Sequence, residues 1–212
     1  MITEKFNTFS VPPGLLDYVN PVFYTITMIT LMRNLSALMG SPYHMIFRIG
    51  AIISIFFGFI IPTGKVIVGL GPIKFVMPVS LVFCVNAGIL ISGLVLLKYV
   101  LNIPPLMLAA VAVLIIALLA EIYSKNRKIN TVAVLTGAAG YLMLYTSLIT
   151  LSIQKGTIFP VVMYALAILL FVMLCGIGIK ADLKNPKVHW VIEISNVICQ
   201  GLVAAATVIL FS

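Results

Sequence analysis

Apolar residues fill most of this chain, and they are interrupted at intervals that match a bilayer crossing. Seven runs, 15–38, 45–62, 75–97, 105–123, 131–153, 157–179 and 188–211, approach or exceed the ~20 residues a membrane-spanning helix requires. Turn residues or charge separate them: Gly40-Ser41-Pro42, Pro62 to Lys74, Asn102 to Pro104, Lys125 to Asn130, Gln154 to Gly156, and Lys180 to Lys187. The pattern predicts an all-α, polytopic transmembrane helix bundle of about seven spans, forming a single integral membrane domain over 1–212. The first run carries Asp17 and Asn20 near its start and Arg33 towards its end, so six spans with an interfacial first helix is the alternative. The segment Val66–Gly71 is apolar but too short to cross, and is expected at the interface.

An internal similarity suggests how the spans are organised. Val76–Cys84 aligns with Val191–Cys199 at an offset of 115, with four of nine positions identical. The same offset carries the second run onto the sixth. A 3+1+3 parallel pseudo-repeat follows, in which two three-helix halves flank the fourth run. Parallel repeats of this kind place a site between the halves.

Composition removes the soluble classes. Hydrophobic residues make up 62% of the chain and charged residues 8%, against about 25% charged in a soluble domain. Mean hydropathy is +1.23. The net charge of +8 would suggest nucleic acid in a soluble protein. Here the basic residues punctuate apolar runs, which points to topology and to anionic lipid headgroups. With a cytoplasmic N-terminus, Lys5, Lys65, Lys74, Lys125, Arg127, Lys128, Lys180, Lys184 and Lys187 fall inside, and Arg33, Arg48, Lys98 and Lys155 outside. That excess favours a cell-membrane protein with its N-terminus inside and, for seven spans, its C-terminus outside. The N-terminal MITEKFNTFSVPPG lacks a basic stretch followed by an apolar core, so the first span is expected to act as the insertion signal.

Against this apolar background a few polar side chains stand out. His189, Glu193, Asn196 and Gln200 are spaced four, three and four residues apart on the last run. At about 100° per residue they occupy an arc of roughly 60° on one helix face. Polar groups within a span face the bundle interior, a partner or a water-filled cavity. His189 and Glu193 belong near the interface, whereas Asn196 and Gln200 lie deeper and need partners. Asp17, Asn20 and Tyr24 form a second stripe at the same end, with the helix dipole an alternative explanation for Asp17. Asn86, near the middle of the third run, is the amide expected to meet the seventh.

At the opposite end Arg33, His44 and Arg48 gather around the first two runs. They suggest an outer anion or headgroup site, although snorkelling accounts for the arginines equally well. Gly50, Ser54 and Gly58 make a ridge of small residues along the second run, a helix-packing signal for use within the chain, with a membrane-protein partner, or in a homo-oligomer.

Absences narrow the chemistry. His44 and His189 sit at opposite faces for any odd number of intervening spans, so no shared metal or haem is expected. The cysteines Cys84, Cys175 and Cys199 form no CxxC pair. No two acids share a helix face, which disfavours metal-dependent transfer and aspartyl proteolysis. No catalytic residue, metal or cofactor is therefore expected. The leading expectation is a small-solute transporter or channel with a polar site between spans three and seven, formed by Asn86, Glu193, Asn196 and Gln200 with Asp17 and Asn20. A non-catalytic membrane subunit is the alternative. A lipid-modifying enzyme comes third, for want of catalytic groups.

Overall fold

The computed structural model describes residues 11–36, 39–70, 79–105, 116, 129–180 and 186–212. Every element there is an α-helix: α1 Val11–Asp17, α2 Val19–Leu35, α3 Ser41–Leu70, α4 Val79–Leu101, α5 Ile129–Gln154, α6 Ile158–Lys180 and α7 Pro186–Phe211. Six helical stretches are long and apolar enough to cross a membrane, and the first of them, Gly14–Leu35, takes in the end of α1 and all of α2. The first run is thus a span by length and composition. The expected fourth span, 105–123, lies outside the described residues apart from positions 105 and 116, as does the KNRK cluster at 125–128.

Most breaks fall where the turn residues predicted them. Asn102 (φ 50°) and Gly156 (φ 72°) both adopt the left-handed conformation that ends a helix. In each case the next residue donates its N–H five residues back, Ile103 to Lys98 O and Thr157 to Ser152 O, closing orphan carbonyls. Pro42 sits in the first turn of α3, where its missing N–H costs nothing.

The break expected at Pro62 does not occur. α3 continues through Pro62 to Leu70, so Val66–Leu70 is a helical extension of the second span and not a separate interfacial segment. Membrane helices tolerate an internal proline where neighbouring groups satisfy the freed backbone. One turn of helix past the proline carries Lys65 inward, to a position the sequence alone leaves in a loop.

The helices close into a ring, α2–α3–α4–α5–α6–α7, with α7 returning to α2. α3 is antiparallel to both neighbours, as Tyr24 meets Ser54 and Tyr18 meets Thr63 on one side, and Lys98 lies over the Tyr43 ring on the other. α4 and α5 run in the same direction: Asn86 lies at Gly137, Leu90 at Gly140, and Gln154 donates to Val100 O. α2 and α7 are also parallel, with Asp17 level with Glu193 and Phe23 beside Gly201.

Small residues set the closest approaches. A Cβ on Gly140 would lie 2.6 Å from Leu90 N, and one on Gly88 would lie 2.6 Å from Gly50 O. The Gly50–Ser54 part of the predicted ridge is therefore spent on α4, while Gly58 faces Pro21 of α2. Buried hydroxyls are satisfied along their own helices. Ser54, Ser92, Thr136, Ser147, Ser152 and Thr207 each bond the carbonyl four residues back.

Met28, Leu31, Leu35, Leu144, Tyr145, Leu148, Val203 and Leu210 pack into one core. It fills the half of the ring towards the C-terminal ends of α2 and α7. There Lys155 donates to Leu210 O across α5 and α7, its ammonium over the Phe211 ring. Among the described residues, the other half of the ring lines a cavity.

Candidate functional site

In that other half the helices enclose a cavity of about 330 Å³. Its lining comes from Asp17 at the end of α1, Asn20, Pro21 and Tyr24 on α2, and Ser54, Gly58, Ile61, Pro62 and Lys65 on α3. Val85 and Ile89 of α4, Tyr141 of α5, and Ile192, Glu193, Asn196 and Gln200 of α7 complete it. The spacing of three and four residues that put Asn20 and Tyr24 on one face, and Glu193, Asn196 and Gln200 on another, aims both stripes into the same space.

Charge lies at one end. Lys65 Nζ is 2.7 Å from Asp17 Oδ2 and 2.9 Å from Glu193 Oε1, with all three side chains largely buried. A single ammonium thus ties three helices together. Asn20 Nδ2 donates to Asp17 Oδ1 at 2.9 Å. Its own Oδ1 is buried and meets no donor among the described residues.

Deeper in, the groups become neutral. Tyr24 and Ser54 hydroxyls are hydrogen-bonded at 2.8 Å. The Tyr24 and Tyr141 rings meet edge to face, 6.4 Å between centroids. Gln200 donates to Tyr145 Oη at 3.3 Å, where the cavity ends against the packed core. Pro62 has no N–H to return to the Gly58 carbonyl one turn back, and both residues line the cavity.

Five of the six inner residues expected from the sequence, Asp17, Asn20, Glu193, Asn196 and Gln200, therefore share one cavity. Asn86 does not. Its carboxamide is set against the backbone of α5 at Gly137, because α4 packs on α5 and lies across the ring from α7. The expected contact between Asn86 and the seventh-span amides is replaced by this helix seam. The side chain of His189 lies outside the described residues.

The outer group, Arg33, His44 and Arg48, lies at the other end of α2 and α3. Arg33 and Arg48 are exposed, and the His44 ring is engaged with the Met32 carbonyl at 3.2 Å. Among the described residues no cluster of His, Cys, Asp and Glu could hold a metal ion.

Lys65 and Tyr141 are the charged and phenolic lining residues that sequence reasoning missed. For Lys65 the available signal was its setting: apolar residues resume at once in Val66-Ile67-Val68, as they do around a cation held within a helix. Tyr141 carried no such mark, since an aromatic in an apolar run is ordinary core. No protein-family model, curated protein or solved structure matches this chain.

Proposed function

We propose that this protein is a small-solute transporter of the cell membrane, with the cavity between α1–α2, α3 and α7 as its substrate site. The observation that carries this reading is the convergence of three charged and three amide side chains from four helices on one unfilled space. Helix packing alone gives no reason to hold such groups around a void, since each desolvated polar group is costly without a partner. The small-residue ridge is engaged by α4 and α2 within the chain, which favours this reading over a docking subunit.

The same proposal includes seven spans in two parallel halves. α4 ends and α5 begins at opposite ends of two parallel helices, so residues 102–128 begin at one face and finish at the other. The apolar run 105–123, at 1.5 Å per residue roughly 28 Å long as a helix, has the length for that return. The 115-residue offset supports the repeat. It carries Asn86 onto Gly201 and Gly137 onto Val22, and Gly201 contacts Phe23, one residue away. With the basic residues biased to the N-terminal side, the charged end of the cavity faces the cytoplasm.

Access is the direct test. In a protein stripped of its three cysteines, Asn196→Cys is expected to react with a membrane-impermeant, positively charged thiol reagent applied to sealed vesicles from the cytoplasmic side. Absence of reaction from either side would show a dry helix contact and overturn the reading.

A further inference from the structure

We infer that the cavity takes a small organic cation bearing N–H donors, of the alkylammonium or guanidinium type, and exchanges it for a proton at the Asp17–Lys65–Glu193 triad. The inference rests on the transport reading and specifies its substrate and coupling.

Charge balance is the first ground. Asp17 and Glu193 supply two carboxyl groups and Lys65 one ammonium, at 2.7 and 2.9 Å. With both acids ionised the triad holds one unmatched negative charge in a desolvated setting, which requires one positive partner. An anionic solute would double the imbalance. A proton or a monovalent cation cancels it, and once either is bound the other has no charge to meet. The proton therefore leaves the triad as the cation arrives and returns as it departs. No bond other than O–H is made or broken.

An unused acceptor is the second ground. Asn20 is 8% exposed, its Nδ2 is committed to Asp17, and its Oδ1 meets no donor among the described residues. An acceptor-only carboxylate fixes that amide orientation, so the free oxygen calls for an N–H or O–H from the occupant.

The deep end suits the rest of such a molecule. Tyr24 and Tyr141 present aromatic surface that accepts alkyl groups or a delocalised cation. A volume of about 330 Å³ is at the small end for ligand sites. The groups of each packed element that bear on the triad are Asp17 from α1, Tyr24 from α2, Lys65 from α3 and Tyr141 from α5, with only Val85 and Ile89 from α4. His189, one turn from Glu193 in sequence, is a second group able to titrate near neutrality, and the test must separate it.

The protein is reconstituted in vesicles containing a pH-reporting dye, and gradients of methylguanidinium, ethylammonium, tetramethylammonium, methylurea or propionate are applied. Methylguanidinium stays charged and does not leak as a free base. It is expected to drive proton movement the opposite way, at least tenfold above protein-free vesicles, and with ethylammonium to protect Asn196→Cys from its thiol reagent. Tetramethylammonium, equally charged but without N–H, should give less than a tenth of that flux. Glu193→Gln should abolish the proton movement while His189→Gln retains it. The comparison of probes on the unaltered protein holds even if a variant fails to fold.

Equal flux with tetramethylammonium, or cation flux without protons, overturns the inference. So does movement of methylurea or propionate in place of the cations, which would leave the transport reading standing. If no probe moves or protects while Asn196→Cys still reacts, the cation class is wrong. If Asn196→Cys does not react at all, transport itself falls.

Discussion

Two seams in this bundle join parallel helices, and they differ in everything but direction. Between α4 and α5, Gly93, Gly137 and Gly140 bring the backbones together and leave no room for a side chain on the glycine positions. Between α2 and α7, side chains of Asn20, Tyr24, Glu193, Asn196 and Gln200 hold the helices around a cavity. The first seam gains from dispersion and close packing, the main cohesive terms available between helices in lipid. The second depends on a charged cross-link and on whatever fills the space. The contrast suggests a division of labour, with one seam fixing the fold and the other keeping a site open within it.

The largest expected effect comes from the open seam. Lys65→Met leaves two carboxyl groups facing each other without their shared cation, and breaking a buried ion pair this way costs about 3–5 kcal/mol. Thermal unfolding in detergent should show the loss, and a variant that also carries Asp17→Asn and Glu193→Gln should recover most of it. If Lys65→Met melts like the parent, the triad is solvated and the contrast between the seams is weaker than described. On the closed seam, Gly140→Ala places a methyl against backbone atoms of Ile89 and Leu90 that cannot move aside. Overpacking of this kind costs about 1–3 kcal/mol, and transport should fall only in proportion to folded protein.

Smaller effects sharpen the comparison. Tyr24→Phe removes one side of the bond to Ser54, expected to cost about 0.5–1.5 kcal/mol in the same melt. Asn196→Ala should change stability by less than about 0.5 kcal/mol yet abolish flux in vesicles. A large destabilisation with intact flux would make Asn196 a packing residue and assign the second seam to structure.

Six of the spans were legible because lipid makes the apolar pattern nearly obligatory, and turn residues such as Asn102 and Gly156 mark helix ends. The polar face of α7 was legible for the same reason: a 3-and-4 spacing of amides and an acid has few explanations inside a bilayer. What could not be seen was adjacency. Asn86 and Asn196 look equivalent in sequence, each an amide mid-span, but the ring order sends one to a glycine seam and the other to the cavity. Pro62 misled in the opposite sense. Proline signals a helix end in water, whereas in a membrane bundle the helix runs on, and the residue three positions later becomes part of the site.

Among the described residues the contact between α2 and α7 joins the first spanning helix to the last, and the Lys65–Glu193 bond bridges 128 positions of sequence. A chain made from its N-terminus therefore exposes Asp17 and Lys65 to the insertion machinery and the lipid long before Glu193 exists. The cavity closes only once α7 has been made and inserted. Any truncation that removes α7 keeps five of the six described spans but loses Ile192, Glu193, Asn196 and Gln200 from the cavity wall, and quality control of such a fragment has the uncovered Asp17–Lys65 pair to recognise.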